Sequence, residues 1–509
     1  MGQMAESLEK GLLRKESEER DGFVGSTTRL GVFVEEVKRL GYIAGPMVAV
    51  NLSQHFLQII SIMMVGHLGS HSLSITAIAF SFCGATGFSL LYGMSSALET
   101  LCGQAYGAQQ YKQLGIQTNT AIFSLVLVCF PLSLLWIYMG KLLIFLGQDP
   151  LISKEAGKFS MCLIPALFAY ATLQPLVRYF QTQSLIVPLL VSSCVSFCSH
   201  IPLCWALVFK SGLQHLGAAF AIGISYWLNV VSLILYMMFT PACASTRVPI
   251  SFKNFRGIGE FLWFAIPSAV MICLEWWSFE MLTLLSGFLP NPELETSVLS
   301  VCLSAITSLY SITEGLEAAG STRVSNELGA GNPQAARVAV AAVMFLTVSE
   351  AVFVSSSLLV GRHVFGYIFS NEKEVVDYVT TMAPLVSLSV IFDSLNGVLS
   401  GIARGCGWQN SAAYVNLGAY YLFGIPTAAI LGFWFDMRGK GLWIGILAGS
   451  FSQAFLYSVI TSSTNWEKKV ELFTFDSFTN LVLWQERQGK EYLRDELQWN
   501  IEEFDSELL

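Results

Sequence analysis

Six carboxylates lie inside long apolar segments of this chain, where an acid is costly and is usually retained for function. An acid in a low-dielectric environment loses solvation of its charged form, so it can exchange a proton near neutral pH. When ionised, it also attracts a cation. These two properties in one group predict an exchange of protons for a cationic solute. The six acids, all in the second half of the chain, are Glu275, Glu280, Glu314, Glu317, Glu350 and Asp393.

Glu275 and Asp393 lie deepest in their segments, and we predict that they couple transport to protons, with Glu280 as a third candidate. Glu280 follows Glu275 by about 140° around a helix, so the two need not share a face. Glu314 and Glu317 share a face near the end of their segment, which is also typical of a structural cluster at a membrane boundary. For every one of these acids, the alternative is a buried carboxyl that only fixes helix packing.

The distribution of charge excludes a soluble protein. The long stretch from Gly41 to Ser463 is poor in Asp, Glu, Lys and Arg, and nearly half of all these side chains lie instead in the two short tails. A soluble domain is about a quarter charged. The net charge of -8 arises mostly in the C-terminal tail and argues against a nucleic-acid partner. Residues 1–40 are polar, so no cleavable signal peptide is expected.

The apolar segments predict an all-α membrane protein with twelve transmembrane helices. They recur at about 20–25 residues, the length that crosses about 30 Å of hydrocarbon. Only helices and closed barrels satisfy their backbone groups in lipid, and barrel strands would alternate over about ten residues. The predicted spans lie near 43–65, 74–98, 119–141, 158–179, 186–209, 216–240, 259–287, 297–320, 338–360, 376–400, 411–433 and 441–463.

Pairs of glycines and prolines recur along the whole chain at a nearly constant separation, which indicates an internal repeat. Each half has six spans, so both halves enter the membrane in the same direction. This predicts two six-helix lobes related by a pseudo-twofold axis along the membrane normal, around a central cavity. The pairs are Pro46 and Pro267, Gly66 and Gly287, Gly107 and Gly329, Pro202 and Pro426, and Gly217 and Gly441.

The even number of spans places both tails on the same side of the membrane. Lys and Arg divide equally between the two sets of loops, but Lys38, Arg39, Lys468 and Lys469 flank the outer spans and favour a cytosolic location for both termini. The predicted organisation is a cytosolic tail at 1–40, an N-lobe at 41–241, a cytosolic linker at 242–258, a C-lobe at 259–463 and an acidic cytosolic tail at 464–509.

Aromatic and amide side chains accompany the acids and predict a site for a small, cationic or amphipathic organic compound, held by ring faces and a carboxylate. Lipid contact or packing is the alternative for any single ring. Glu99, Arg323 and Glu327 lie at or near the Gly-containing loops 103–110 and 326–334, where we predict a cytoplasmic gate. The predicted substrate-binding residues are Glu275, Trp276, Asn396, Tyr310, Tyr414, Asn416, Tyr420, Gln54 and Gln58.

Several longer segments resemble multidrug and toxic compound extrusion (MATE) transporters, and most closely their plant DETOXIFICATION branch. The resemblance covers about residues 40–468 and implies a two-lobed, twelve-helix exporter of organic compounds driven by a cation gradient. It also implies protonation of C-lobe acids, which fall on Glu275 and Asp393. Many prokaryotic relatives carry an aspartate in helix 1, and its absence here disfavours sodium coupling. The segments are Met64–Gly69, Ala97–Ala108, Glu275–Trp277, Arg323–Asn332, Gly401–Gln409 and Thr464–Lys468.

We therefore predict a proton-coupled antiporter that exports xenobiotics or secondary metabolites by alternating access, at the plasma membrane or the vacuolar membrane. A sodium-coupled exporter, a channel and a flippase for lipid-linked saccharides are the alternatives. The flippase would be expected to line its cavity with Arg and Lys. An intramembrane enzyme is not predicted, because paired aspartates and metal motifs are lacking.

No cofactor or metal is expected beyond the proton gradient. The eleven cysteines include no CxxC pair, and the six histidines include no HExxH motif. The expected partners are a small organic substrate and the lipid bilayer, and the chain is expected to act as a monomer.

Overall fold

The computed structural model describes residues 29–249, 257–368 and 372–471. Parts of both predicted tails and of the linker, residues 1–28, 250–256 and 472–509, lie outside the described residues. The predicted domain boundaries at those places therefore stay predictions.

Twelve helices in the described part of the chain are long and apolar enough to cross a membrane, and no β-strand occurs there. This confirms the predicted all-α architecture. Short helical turns at Met139–Phe145 and Arg362–Phe365 lie in the connections. The spanning helices are α1 Arg29–Gly66, α2 Ser70–Gly107, α3 Tyr111–Ile137, α4 Pro150–Thr182, α5 Ile186–Lys210, α6 His215–Phe239, α7 Ile258–Ser286, α8 Pro292–Gly329, α9 Pro333–Val360, α10 Lys373–Gly405, α11 Gln409–Trp434 and α12 Arg438–Ser462.

Helix α1 starts about four turns before the first predicted span, so residues 29–40 of the predicted tail are helical. Leu40 is fully buried in the core, and Glu36 forms an ion pair with Arg323 of α8. The charged residues at 35–39 lower the hydropathy of this part of the helix, so a hydropathy pattern does not include it in the first span. Tertiary contacts stabilise it as helix.

Short connections make successive helices run in opposite directions. We call the side of the bundle where α1 begins and α12 ends the terminal side, and the opposite side the distal side. The ends of α2, α4, α8 and α10 lie on the terminal side, and the ends of α1, α7 and α11 lie on the distal side.

The two halves repeat each other in structural detail. Helix α5 ends in a π-helical turn at Ala206–Lys210, and α11 ends in one at Ile430–Trp434, the equivalent place in the second half. The next helix packs a glycine against each turn. A Cβ on Gly217 would lie 2.3 Å from the backbone of the first turn, and a Cβ on Gly441 would lie 2.6 Å from the second. These repeated contacts explain two of the glycines that revealed the repeat.

Reciprocal glycine contacts show where the lobes meet. A Cβ on Gly107, at the end of α2, would lie 2.0 Å from the carbonyl oxygen of Asn326, and one on Gly329, at the end of α8, would lie 2.3 Å from that of Gln104. Gly107 and Gly329 are equivalent positions of the repeat, and Gln104 and Asn326 have the same separation in the chain. Reciprocal contact between equivalent residues is the property of a twofold axis. The pseudo-twofold axis therefore passes between the terminal ends of α2 and α8.

We expect Gly217→Ala and Gly441→Ala each to lower the free energy of unfolding by about 1–3 kcal/mol, because the added methyl group would overlap packed backbone. Gly45→Ala is the matched control, since nothing lies within 4 Å of a Cβ at that helical position. Thermal unfolding of the purified protein measures the difference. Equal melting temperatures for all three variants would contradict the close contacts.

Candidate functional site

A small cavity lies between the lobes, bounded by residues of α2, α7, α8 and α10. In this conformation it has room for about one water molecule. Three predicted substrate-binding residues, Glu275, Trp276 and Tyr310, line it. The full lining is Tyr92, Ile272, Glu275, Trp276, Tyr310, Glu314, Glu317, Ser400 and Arg404.

A chain of close polar contacts joins Glu275 to Asp393 inside the C-lobe. Gln453 of α12 donates to Glu275 Oε2 at 3.1 Å and accepts from the Tyr420 hydroxyl at 2.8 Å. The same hydroxyl lies 3.3 Å from Ser450 Oγ, which donates to Asp393 Oδ1 at 3.1 Å. Every link is an amide or a hydroxyl, so the chain connects two acids without supplying a positive counter-charge. We call it the C-lobe acid chain.

Further amides orient the C-lobe acid chain. Asn416 Nδ2 lies 3.4 Å from Glu275 Oε2, and Asn416 Oδ1 accepts a hydrogen bond from the Tyr457 hydroxyl at 2.7 Å. Asn396 donates to a backbone carbonyl of α12 at 2.9 Å. We predicted Asn396, Asn416 and Tyr420 as substrate contacts, but all three are fully buried behind the acids. In this conformation they hold the acids in place and do not line the cavity.

One carboxylate oxygen of Asp393 has no donor. Asp393 Oδ2 and, one helical turn later, Asn396 Oδ1 are buried and accept no hydrogen bond from any residue between 29 and 471 that the structure describes. Asp393 Oδ2 is therefore a position at which a proton could bind.

The other predicted site residues lie outside the C-lobe acid chain and the cavity. Glu280 accepts from a serine of α2 at 3.2 Å, and Gln58 donates to Tyr226 at 3.4 Å within the N-lobe. Gln54 is half-buried on α1. Tyr414 is 75% exposed on the surface of α11, where a spanning helix meets lipid. For Tyr414, lipid contact is therefore the better interpretation.

A buried cluster of charges closes the terminal side of the cavity and connects the lobes. Glu99 of α2 pairs with Arg178 of α4 and with Arg404 of α10, both at 3.0 Å. Arg404 also pairs with Glu317 of α8, and Ser321 donates to Glu99 at 2.6 Å. We call Glu99, Arg178, Glu317 and Arg404 the inter-lobe ion cluster. Of these four residues, the sequence predicts only Glu99 at the gate.

A second ion pair lies nearer the terminal surface. Arg323 of α8 pairs with Glu36 of α1 at 2.7 Å and with Glu327 on its own helix at 2.6 Å. Arg323 therefore bridges the lobes, whereas Glu327 supports it from one turn along the same helix. The inter-lobe partner Glu36 was missed because it fell in the predicted tail.

Two signals could have revealed the missed arginines. Arg178 lies inside a predicted span, where a lone charge needs a partner. Arg404 belongs to the segment Gly401–Gln409, which resembles MATE transporters. Gln453 carried no comparable signal, since a single amide in a span is common.

Sequence comparisons with known proteins agree on one family. The MatE family matches the chain at residues 46–206 and 267–430, once in each half. Protein DETOXIFICATION 14 of Arabidopsis thaliana is 62% identical over 468 residues, which cover 91% of this chain and 94% of that protein. Protein DETOXIFICATION 12 of the same organism is 59% identical over 88% of this chain and 93% of its own length.

Solved structures show the same architecture. The crystal structure of the eukaryotic MATE transporter AtDTX14 has a TM-score of 0.85 at 63% identity, over 87% of this chain and 99% of that one. An outward-facing multidrug resistance MATE transporter of the MOP superfamily shares the fold, with a TM-score of 0.74 at 13% identity over 86% and 97% of the two chains. The chain thus belongs to the MatE family, and it is a multi-pass efflux transporter of the plant DETOXIFICATION branch and not an enzyme.

Proposed function

We propose that the protein is a proton-coupled antiporter for small organic compounds, in which Glu275 and Asp393 take up the coupling proton. The C-lobe acid chain is the observation that carries the proposal. It contains no positive charge, and it meets the inter-lobe cavity at Glu275. An acid without a counter-charge in a membrane is stable when it holds a proton or a bound cation. Proton binding and substrate binding would then exclude each other, which is the requirement for exchange.

The proposed cycle starts from a cytosolic location of the terminal side, supported by the basic residues at 38–39 and 468–469. In that orientation the described conformation is closed to the cytosol by the inter-lobe ion cluster and by the pair of Arg323 with Glu36. Protons entering from the distal side would neutralise the acids and release the substrate. The lobes would then rock and open the terminal side, where a new substrate molecule would bind.

The flippase alternative needs cationic groups that are free to bind phosphates. Arg178 and Arg404 are buried near the terminal ends of α4 and α10, but both pair with carboxylates of the inter-lobe ion cluster. Their charge is therefore already matched, which favours an exporter of organic compounds.

Sodium coupling is the second candidate, and one observation favours it. Asp393 Oδ2 and Asn396 Oδ1 are two buried oxygens without donors among the described residues, one helical turn apart. Oxygen atoms of this kind are ligands for hard cations. The same transport experiment separates the two ions.

We expect wild-type protein in liposomes with an acidic interior to accumulate a fluorescent organic cation, because protons leaving the interior drive the exchange. Glu275→Gln and Asp393→Asn should reduce accumulation to the level of empty liposomes, since each variant lacks one of the two carboxyls that take up the coupling proton. Glu374→Gln, in the exposed first turn of α10, is the control and should behave as wild type. Uptake that ignores the pH gradient and follows an imposed sodium gradient would overturn proton coupling.

We expect Glu99→Gln to lower the free energy of unfolding by about 3–5 kcal/mol, because two buried arginines would lose their shared counter-charge. Glu327→Gln is the control. Its side chain is 15% exposed, and Arg323 retains Glu36, so the loss should stay below about 1 kcal/mol. Thermal unfolding in detergent compares the two variants. A similar loss in both would show that the inter-lobe ion cluster is not the main contact that closes the terminal side.

A further inference from the structure

We infer that Glu314 is the carboxylate that selects substrates with a small protonated amine, and that this role is separate from proton coupling at Glu275 and Asp393. The inference rests on the proposed antiport and adds to it the chemical class of the substrate and the residue that recognises it. Three features of the structure support it: the balance of charges, a polar face of α8 and the size of the cavity.

The charges around the cavity balance except at two acids. The inter-lobe ion cluster contains two arginines and two glutamates, which neutralise each other. Glu275 is held by the amides of Gln453 and Asn416. Glu314 lines the same cavity and lies within the electrostatic influence of Arg178 and Arg404, but it makes no hydrogen bond or ion pair with any described residue. Glu314 is therefore the cavity carboxylate whose hydrogen-bonding capacity is left for a ligand.

A polar face of α8 leads from the distal side to Glu314. Hydroxyl residues recur on it at spacings of three and four, which places them on one side of the helix. Ser304 and Thr307 are exposed near the middle of this spanning helix. A face of this kind offers a polar solute a path from the distal side to the cavity. Its members are Ser300, Ser304, Thr307, Ser311 and Glu314.

The size and lining of the cavity define the group that fits beside Glu314. The space admits about one water molecule, the size of a primary ammonium group, whereas a trimethylammonium group is larger. The rings of Tyr92 and Trp276 stack with centroids 6.1 Å apart, and both line the cavity with Tyr310. The guanidinium of Arg178 already lies over the Tyr92 ring at 5.2 Å, so Trp276 and Tyr310 are the rings that could meet a substrate cation. Aromatic faces attract a cation that has lost its water. The site therefore suits a primary amine at the end of a flat apolar body.

Equilibrium binding to the purified full-length protein in lipid nanodiscs tests this inference without requiring transport. Three fluorescent probes share one aromatic body and end in a primary amine, a trimethylammonium or a neutral alcohol. Wild type should bind the amine most tightly. Glu314→Gln should weaken amine binding about 30-fold or more, the effect of removing a desolvated charge partner, and leave alcohol binding unchanged.

Two further variants make the result specific. Glu293→Gln changes an exposed glutamate in the first turn of the same helix and should bind all probes as wild type does. Glu314→Asp retains the charge on a shorter side chain, so it should retain part of the preference for the amine, and it replaces Glu314→Gln if that variant does not fold.

Unchanged amine binding in Glu314→Gln, or an equal loss for all three probes, would overturn the inference, since neither reports recognition of charge. Tighter wild-type binding of the trimethylammonium probe would overturn the selection of a small head group. Failure of the proposed proton antiport would appear in the liposome assay, as wild-type uptake that does not depend on the pH gradient. The selectivity for the amine in the binding assay would persist in that case.

Discussion

The carboxylate of Glu99 lies where the lobes meet, and the closed terminal side depends on it. Ser321 donates to it at 2.6 Å from the equivalent position of the other lobe, so this contact crosses the pseudo-twofold axis. Arg178 and Arg404 reach Glu99 from α4 and α10, which are equivalent helices. An acid at both equivalent positions would place two negative charges together. Because the C-lobe has a serine at this position, a single carboxylate, Glu99, lies between the two arginines. The contact between the lobes across the pseudo-twofold axis is therefore attractive.

The same departure from symmetry separates the chemistry of the two lobes. Gln54 follows Pro46 at the same spacing as Glu275 follows Pro267, so an amide occupies the N-lobe position equivalent to the C-lobe acid. Elsewhere in the N-lobe a buried histidine contacts two hydroxyls: His200 lies 3.0 Å from Ser61 Oγ and 2.9 Å from Ser225 Oγ. The C-lobe, by contrast, joins two carboxylates through a chain of close polar contacts.

Two residues belong both to the cavity and to the contact between the lobes. Glu317 and Arg404 line the cavity and form part of the inter-lobe ion cluster. Tyr310, another lining residue, donates to Glu317 at 3.2 Å. A charge that enters the cavity therefore acts on the same arginine that holds Glu99. In a medium of low dielectric constant this interaction is strong, which gives a physical route from cavity occupancy to the separation of the lobes.

The sequence alone determined twelve spans, the repeat of two halves and the two acids that the C-lobe acid chain connects. Hydrophobic length, residue spacing and an acid inside an apolar run are local properties, and lipid leaves the backbone few alternatives to helix. Only the tertiary structure decided that Arg404 meets residues 305 and 87 positions away, that Glu36 pairs with Arg323, and that Tyr420 is buried while Tyr414 is exposed. These contacts and exposures depend on how each helix is rotated about its own axis. Whether a face meets lipid, a cavity or the other lobe depends on the packing of all its neighbours, which no single span encodes.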